Sequence, residues 1–290
     1  MLDVYDDKPY KNHLLHSEER YTSILKDLAA FAPDVISLNE VTSTMDKMIR
    51  ESEWVRADYW ISVLTVDPKK NFSNLLLTKI KPLCYDHIQI NDLPRNVATA
   101  FFHLKNKQNK DLIVTFSAVH LIAYSNNSKK RVQELTDLVL YLSKYNKFVD
   151  GHILQGDMNF HSEEENAILP KLNIKDAWLQ KYNLEDNPGY TFDAKYNEMI
   201  NEIYWGFEGR RMRLDRIFMM GDIFEVKEME VILDKPIYGE KKEVNRSNFV
   251  KGGLAFLADT VFSANLWREK EKYLFGSDHF GLRAELRFWF

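Results

Sequence analysis

Two short polar strings, each set against an apolar run, constrain this chain more than any other feature. Gly156-Asp157-Met158-Asn159 follows His152-Ile153-Leu154, and Ser277-Asp278-His279 precedes Phe280-Gly281-Leu282-Arg283-Ala284-Glu285-Leu286. Short apolar runs bounded by turn residues read as buried strands. Two further junctions have the same form. Leu38-Asn39-Glu40 follows Asp34-Val35-Ile36, and Val119-His120-Leu121 follows Leu112-Ile113-Val114-Thr115-Phe116. Polar groups at the ends of core strands, far apart in sequence, converge when the strands share a sheet.

The rest of the pattern fits a sheet scaffold. Ser17 is placed as the N-cap of a helix with Glu18 and Glu19 in its first turn, and Ile24, Leu25 and Leu28 fall on one face. Pro33 ends it. Strands are expected at 35–38, 74–78, 96–104, 112–120, 152–155, 212–219, 224–233 and 280–288, with 105–110 as a hairpin loop. A helix over 128–145 carries Val132, Leu135, Leu138, Val139 and Leu142 as its inner stripe. Ser162 is expected to cap a short helix over 163–169, and the Lys/Glu-rich 239–245 reads as a solvated loop. Strands recur throughout and helices fall only between some of them. The fold class is therefore α+β, with mostly antiparallel sheets and helices packed outside.

The chain has 290 residues and shows no linker, so 1–290 is read as one domain. Its net charge of −4 gives no global attraction for polyanions, so a phosphate site needs local basic residues or a metal. The single cysteine, Cys84, excludes a disulfide framework and a cysteine-based zinc site, and is read as a small buried residue. No apolar run reaches membrane-spanning length, and the N-terminal residues lack a signal-peptide core. The expectation is an intracellular protein, nuclear or cytoplasmic, that is not secreted and has no membrane partner.

The chemistry follows from residue types. Asp157 and Asn159, two apart on an extended segment, share a face. The carboxylate can hold a cation or take a proton from water, and the amide can position that water without adding charge. His120 and His279 sit beside strands. Asp215, in Arg213-Leu214-Asp215-Arg216-Ile217, is a charge in an apolar strand that needs a partner. Arg216 is one candidate and His279 the other, but strand neighbours such as Arg216 point to the opposite face. There is no Gly-x-Ser-x-Gly elbow, no Gly-x-x-x-x-Gly-Lys loop and no His-Glu-x-x-His. An acidic site with two histidines and an amide suits phosphodiester hydrolysis by a metal-activated water.

In order, Leu-Asn-Glu, Val-His-Leu, Gly-Asp-Met-Asn, Arg-Leu-Asp-Arg-Ile and Ser-Asp-His resemble the endonuclease/exonuclease/phosphatase superfamily over 34–286. Tyr190-Thr191-Phe192-Asp193-Ala194-Lys195-Tyr196-Asn197, Pro94-Arg95-Asn96-Val97 and Gly276-Ser277-Asp278-His279-Phe280-Gly281-Leu282 are similar to its tyrosyl-DNA phosphodiesterase 2 branch. That resemblance implies a four-layer α/β/β/α sandwich. It also implies an Mg²⁺-dependent hydrolase, with Mn²⁺ as a substitute, acting on the phosphodiester between a protein tyrosine and a DNA 5′ end. It implies roles as well. Glu40 and Asp3 hold the metal, and Asp3 stands where the family carries Asn. Asp157 with Asn159 handles the attacking water, and His120 and His279 contact the phosphate. Asp215 orients His279, and Asp278 anchors the last motif. Arg95, Tyr190, Phe192 and Arg213 contact substrate. Ile122-Ala123 replaces a polar pair of the family. Tyr204, Trp205 and Phe207 with Arg210, Arg211 and Arg213, or Lys129, Lys130 and Arg131, would meet a single strand, and the chain is expected to act as a monomer. A general nuclease, an RNA 3′-end nuclease, a phosphoinositide phosphatase and a catalytically weak binding member are the other readings of the same residues.

Overall fold

The computed structural model describes residues 16–64, 72–90, 96–106, 108–203, 209–238, 242–244, 270–272, 275 and 277–288. Its largest sheet has six strands in the order β4-β5-β6-β7-β11-β8. These are β4 (Cys84–Ile88), β5 (Val97–Lys105), β6 (Asp111–His120), β7 (Gly151–Asp157), β8 (Ile174–Asp176) and β11 (Asp215–Met220). All neighbours are antiparallel except β6 and β7. A parallel pair needs a long crossover, and helix Ser128–Ser143 supplies it. Its inner stripe, Leu135, Leu138 and Leu142, packs on Val119, Leu154 and Phe218 of the sheet.

The opposite face of that sheet meets a second layer of strands. One piece is β1 (Val35–Thr42), β3 (Phe72–Thr78) and the short β2 (Trp60–Ile61), in the order β1-β3-β2. The other is β12 (Phe224–Ile232) paired with β15 (Gly281–Phe288). Every residue of β3 is buried, because each face is covered. Leu75 and Leu77 pack under helices Ser17–Phe31 and Ser43–Glu51, and Leu76 points the other way, onto Ala98, Ala100 and Phe102. Leu282, Ala284 and Leu286 of β15 pack on Ile153, Ile217 and Met219. The layers therefore run helix, sheet, sheet, helix, the sandwich expected from the sequence.

Several local expectations are corrected. Ser17 is the first helical residue; His16, with φ 48°, occupies the cap position and makes no side-chain cap bond. Cys84 is exposed, because it opens the edge strand β4 at the sheet rim beside the exposed Leu83. Lys242–Val244, inside the presumed loop, pairs with Lys270–Lys272. Ser162 does form its cap, in a reciprocal capping box with Glu165, but the α-helix is only Glu163–Asn166.

One buried histidine contributes to acid sensitivity. His152 is 2% exposed and wedged between Thr115 Oγ1 (2.8 Å from Nδ1) and Asn146 Oδ1 (3.1 Å from Nε2). Burial disfavours its charged form and lowers its pKa to about 4. The unfolded chain binds this proton near pH 6.5, so the stabilisation is fully present above 6.5 and is lost as pH falls through about 4. We expect urea midpoints to fall between pH 7 and pH 4.5, with the unfolding free energy dropping by up to about 3 kcal/mol from this group. His152→Gln should flatten that slope; an unchanged slope would show another group to be responsible.

Candidate active site

Strand register brings the chemistry together. In the parallel pair, His120 lies opposite Asp157; in the antiparallel pair, Asp215 lies opposite Asp157. Three strands thus end at one level, each on a chemical side chain. Asp157 is held tightly. Its backbone N–H donates to Asn39 Oδ1 at 2.9 Å, and Asn39 Nδ2 donates to Asn74 Oδ1 at 2.8 Å. Its carboxylate accepts the Asn159 backbone N–H at 2.8 Å and Asn159 Nδ2 at 2.9 Å. Asn159 adopts φ 52°, a left-handed conformation that asparagine tolerates, and this folds its amide back onto Asp157. Gly156 is required by the same crowding. A Cβ there, at φ 138°, would stand 2.2 Å from the Val119 carbonyl and 2.5 Å from Asn39 Oδ1.

His279 enters from the segment before β15. Its Nδ1 lies 2.8 Å from Asp215 Oδ2, and its ring meets Phe192 edge-on at 5.4 Å. Burial alone would lower its pKa. The Asp215 carboxylate overrides this through charge and hydrogen bond, helped by Asp157 and Asp278, and pushes the value up to about 10. The imidazole is therefore a cation at neutral pH. Thr191 positions both partners: its Oγ1 accepts the N–H of Leu214 and Asp215, and its carbonyl accepts from Phe280. Asn197 Nδ2 donates to the Ser277 carbonyl at 2.8 Å, and Ser277 Oγ donates to the buried Asp278 at 3.2 Å.

Glu40 completes the group. It sits at a β-bulge in β1 between Leu38 and Val41, with φ 57°. A bulge re-aims a side chain, and an ordinary residue at positive φ marks strain kept at a site. Its carboxylate lies 4.0 Å from His120 Nε2, and Asp157 Oδ2 lies 3.4 Å from the same nitrogen. Glu40, His120, Asp157, Asn159, Asp215, Asp278 and His279 all line one cleft of about 560 Å³. Asp157, Asp215 and His279 put ligand atoms within 4.8 Å of one another. In this arrangement His279 Nδ1 and Asp215 Oδ2 are already engaged with each other at 2.8 Å. We therefore read that trio as a hydrogen-bonded charge network, and Glu40 as the oxygen donor suited to a hard cation.

No protein-family model matches this sequence, and no curated protein matches it. Solved structures do. D. rerio TDP2 complexed with a single-strand DNA product matches at TM-score 0.66 and 20% identity, over 94% of this chain and 93% of that one. An endonuclease/exonuclease/phosphatase family protein from Leptotrichia buccalis matches at TM-score 0.59 and 15% identity, covering 94% of each chain. The human Nocturnin catalytic domain with bound sulfate matches at 0.58 and 18%, over 93% and 86%. This chain has the endonuclease/exonuclease/phosphatase fold.

Within that fold, not every residue singled out from sequence reaches the cleft. Phe192 lines it. Arg213 does not: it is buried and donates to Asp176 at 2.7 Å, which corrects the expectation of a substrate contact. Arg216 also bonds Asp176, at 3.1 Å, which leaves Asp215 to His279. Tyr190 lies under the guanidinium of Arg211, 4.5 Å from its ring centre, and Arg211 is itself anchored on Asp193. Arg131 is fully buried against Glu165, while Lys129 and Lys130 are exposed. Asp3, Arg95, Tyr204, Trp205 and Phe207 lie outside the described residues. Sequence reading missed Asn39 as a direct support of Asp157, Thr191 and Asn197 as braces, and Arg210 and Tyr124 as cleft residues. Arg210 was noted only as part of a basic cluster.

Proposed function

We propose that this protein is a metal-dependent phosphodiesterase that hydrolyses 5′-phosphotyrosyl DNA ends. The observation that carries the reading is the His279 imidazole bonded to Asp215, in one cleft with the Asp157–His120 pair. Two imidazoles around a carboxylate can take hold of a phosphate and leave a carboxylate for the incoming water. Asp157 orients that water and accepts its proton, with Asn159 fixing the carboxylate. His279 and His120 donate to the phosphoryl oxygens as charge gathers on them. Asp215 keeps His279 charged and aimed, and Asp278 anchors the turn that delivers it.

Glu40 would hold Mg²⁺, joined by Asp3 from outside the described residues. A carboxylate at a strained strand bulge, lining the cleft, fits a cation that keeps most of its water. When bound, the ion supplies Lewis-acid stabilisation of the phosphoryl oxygens. A tyrosyl leaving group suits the site, since a phenolate near pKa 10 departs without obligatory protonation. The match to a TDP2 bound to a single-strand DNA product supports single-stranded DNA as partner.

The test is cleavage of a 5′-phosphotyrosyl oligonucleotide, with Mg²⁺ and with EDTA, beside an unmodified strand. Mg²⁺-dependent release of a 5′-phosphate end is the expected result. Degradation of the unmodified strand would replace this reading with a general nuclease. Oligonucleotide binding without turnover of any ester would replace it with a non-catalytic member.

A further inference from the structure

Beyond His120 the chain makes a turn into helix Ser128–Ser143, and Tyr124 stands in that turn in an unusual state. Its backbone has φ 73° and ψ 141°, a region that glycine favours and that an aromatic residue adopts only when its surroundings force it. The forcing groups are visible. Arg131 Nη1 donates to the Tyr124 carbonyl at 2.6 Å and to the Ile122 carbonyl at 2.9 Å. That guanidinium is fully buried and locked by Glu165 Oε1 at 2.6 Å. From the other side, Glu134 Oε2 accepts the Ile122 N–H at 2.9 Å, and Asn127 Nδ2 donates to the Ala123 carbonyl at 2.7 Å.

Such a frame usually serves to bury a side chain, and here it does the opposite. Tyr124 is 54% exposed as a residue and lines the same cleft as His120, Asp157 and Asn159. The strain is thus held by hydrogen bonds to the backbone of 122–124, while the side chain lies at the cleft. A rigid, part-exposed ring beside a phosphate-handling site is suited to stack on a flat ring of the substrate. The two residues before it, Ile122 and Ala123, bring no polar side chain, so within 122–124 Tyr124 is the side chain able to engage a flat ring.

We infer that Tyr124 is a substrate-recognition residue that stacks on a planar ring esterified, directly or through its sugar, to the scissile phosphate. The inference rests on the phosphodiesterase reading above. Two rings satisfy this chemistry, the phenol of a tyrosyl group and the base of the terminal nucleotide.

The experiment compares wild type with Tyr124→Phe, Tyr124→Leu and Tyr124→Gly on three esters: the 5′-phosphotyrosyl oligonucleotide, the same substrate with an abasic terminal nucleotide, and one with an alkyl group in place of tyrosine. Tyr124→Phe should keep KM within about twofold, and Tyr124→Leu should raise KM roughly five- to hundredfold with kcat little changed. The penalty should vanish on the abasic ester if the base is stacked, or on the alkyl ester if the phenol is. A penalty equal on all three, or none, overturns the inference. Tyr124→Gly relieves the backbone and should raise the thermal midpoint while raising KM; a lower midpoint with unchanged KM would show the ring to be structural. If wild type cleaves none of the esters, the phosphodiesterase reading fails separately. Tyr124 is then tested by anisotropy of a labelled single-stranded oligonucleotide in EDTA, where equal affinity of Tyr124→Leu, or no binding by wild type, overturns the inference.

Discussion

His279→Ala is expected to lower kcat for phosphotyrosyl ester hydrolysis by about 10²–10³, the usual effect of removing one donor to developing phosphoryl charge. KM should change little, because the donor matters most as charge builds in the transition state. Asp215→Asn separates placement from charge. It keeps the shape beside Nδ1 but removes the carboxylate that pushes the His279 pKa up to about 10. In that variant the imidazole should lose its proton at a lower pH than in wild type, so the alkaline fall in rate should move toward acid. A wild-type-like profile would show that the His279 charge does not depend on Asp215. The same pair has a stability signature. The folded pKa lies above the unfolded value of about 6.5, so its contribution is fully present below 6.5 and is lost as pH rises through about 10. The midpoint gap between wild type and His279→Ala should therefore be widest in acid and close in alkali.

Much of this site was legible because strand ends write themselves twice, as an apolar run and as a polar residue that stops it. His120 and Asp157 each close a β-run, and their register across β6 and β7 needs no information beyond the pairing of those runs. The same logic failed where an element is short or half exposed. In β4 the residues Cys84-Tyr85-Asp86-His87-Ile88 give no apolar run, yet the strand pairs along its whole length with β5. β8 and helix Ala177–Lys181 are three and five residues long, below the length at which periodicity speaks. Missing β8 had a direct cost for function. Its Asp176 is the partner that draws Arg213 inward, so from sequence an arginine next to Asp215 reads as free for substrate. The strain at Tyr124 and Glu40 was illegible for another reason. Positive φ at a residue other than glycine is imposed by distant groups, here Arg131 and the bulge against β3, and leaves no local composition to read.

Asp176→Ala should be the most destabilising single change at the edge of this site. Asp176 is 4% exposed and accepts from Arg213 at 2.7 Å, from Arg216 at 3.1 Å and from the Trp178 N–H at 3.0 Å, which caps the next helix. Its removal leaves two buried, mutually repelling guanidiniums without the carboxylate they share. Breaking a buried pair in this way costs about 3–5 kcal/mol, and loss of the cap adds about 1. Against a typical total of about 5–15 kcal/mol, that is enough to lower the thermal midpoint by roughly ten degrees or to prevent folding at 37 °C. Where the protein cannot be recovered, Asp176→Asn keeps an acceptor for the cap and one arginine and should give a smaller loss. The triple change Asp176→Leu, Arg213→Met, Arg216→Met should regain most of the stability, because a packed apolar group often replaces a buried ion cluster at little cost. Activity then separates two roles. Arg216 precedes none of the cleft chemistry but neighbours Asp215, and its Nε donates to the Arg213 carbonyl at 2.9 Å, bracing the turn that sets Asp215. A stable triple variant with kcat near wild type would make the cluster a matter of folding alone. A stable variant with depressed kcat and a His279 titration moved toward neutral pH would show that the buried cluster also holds Asp215 in line.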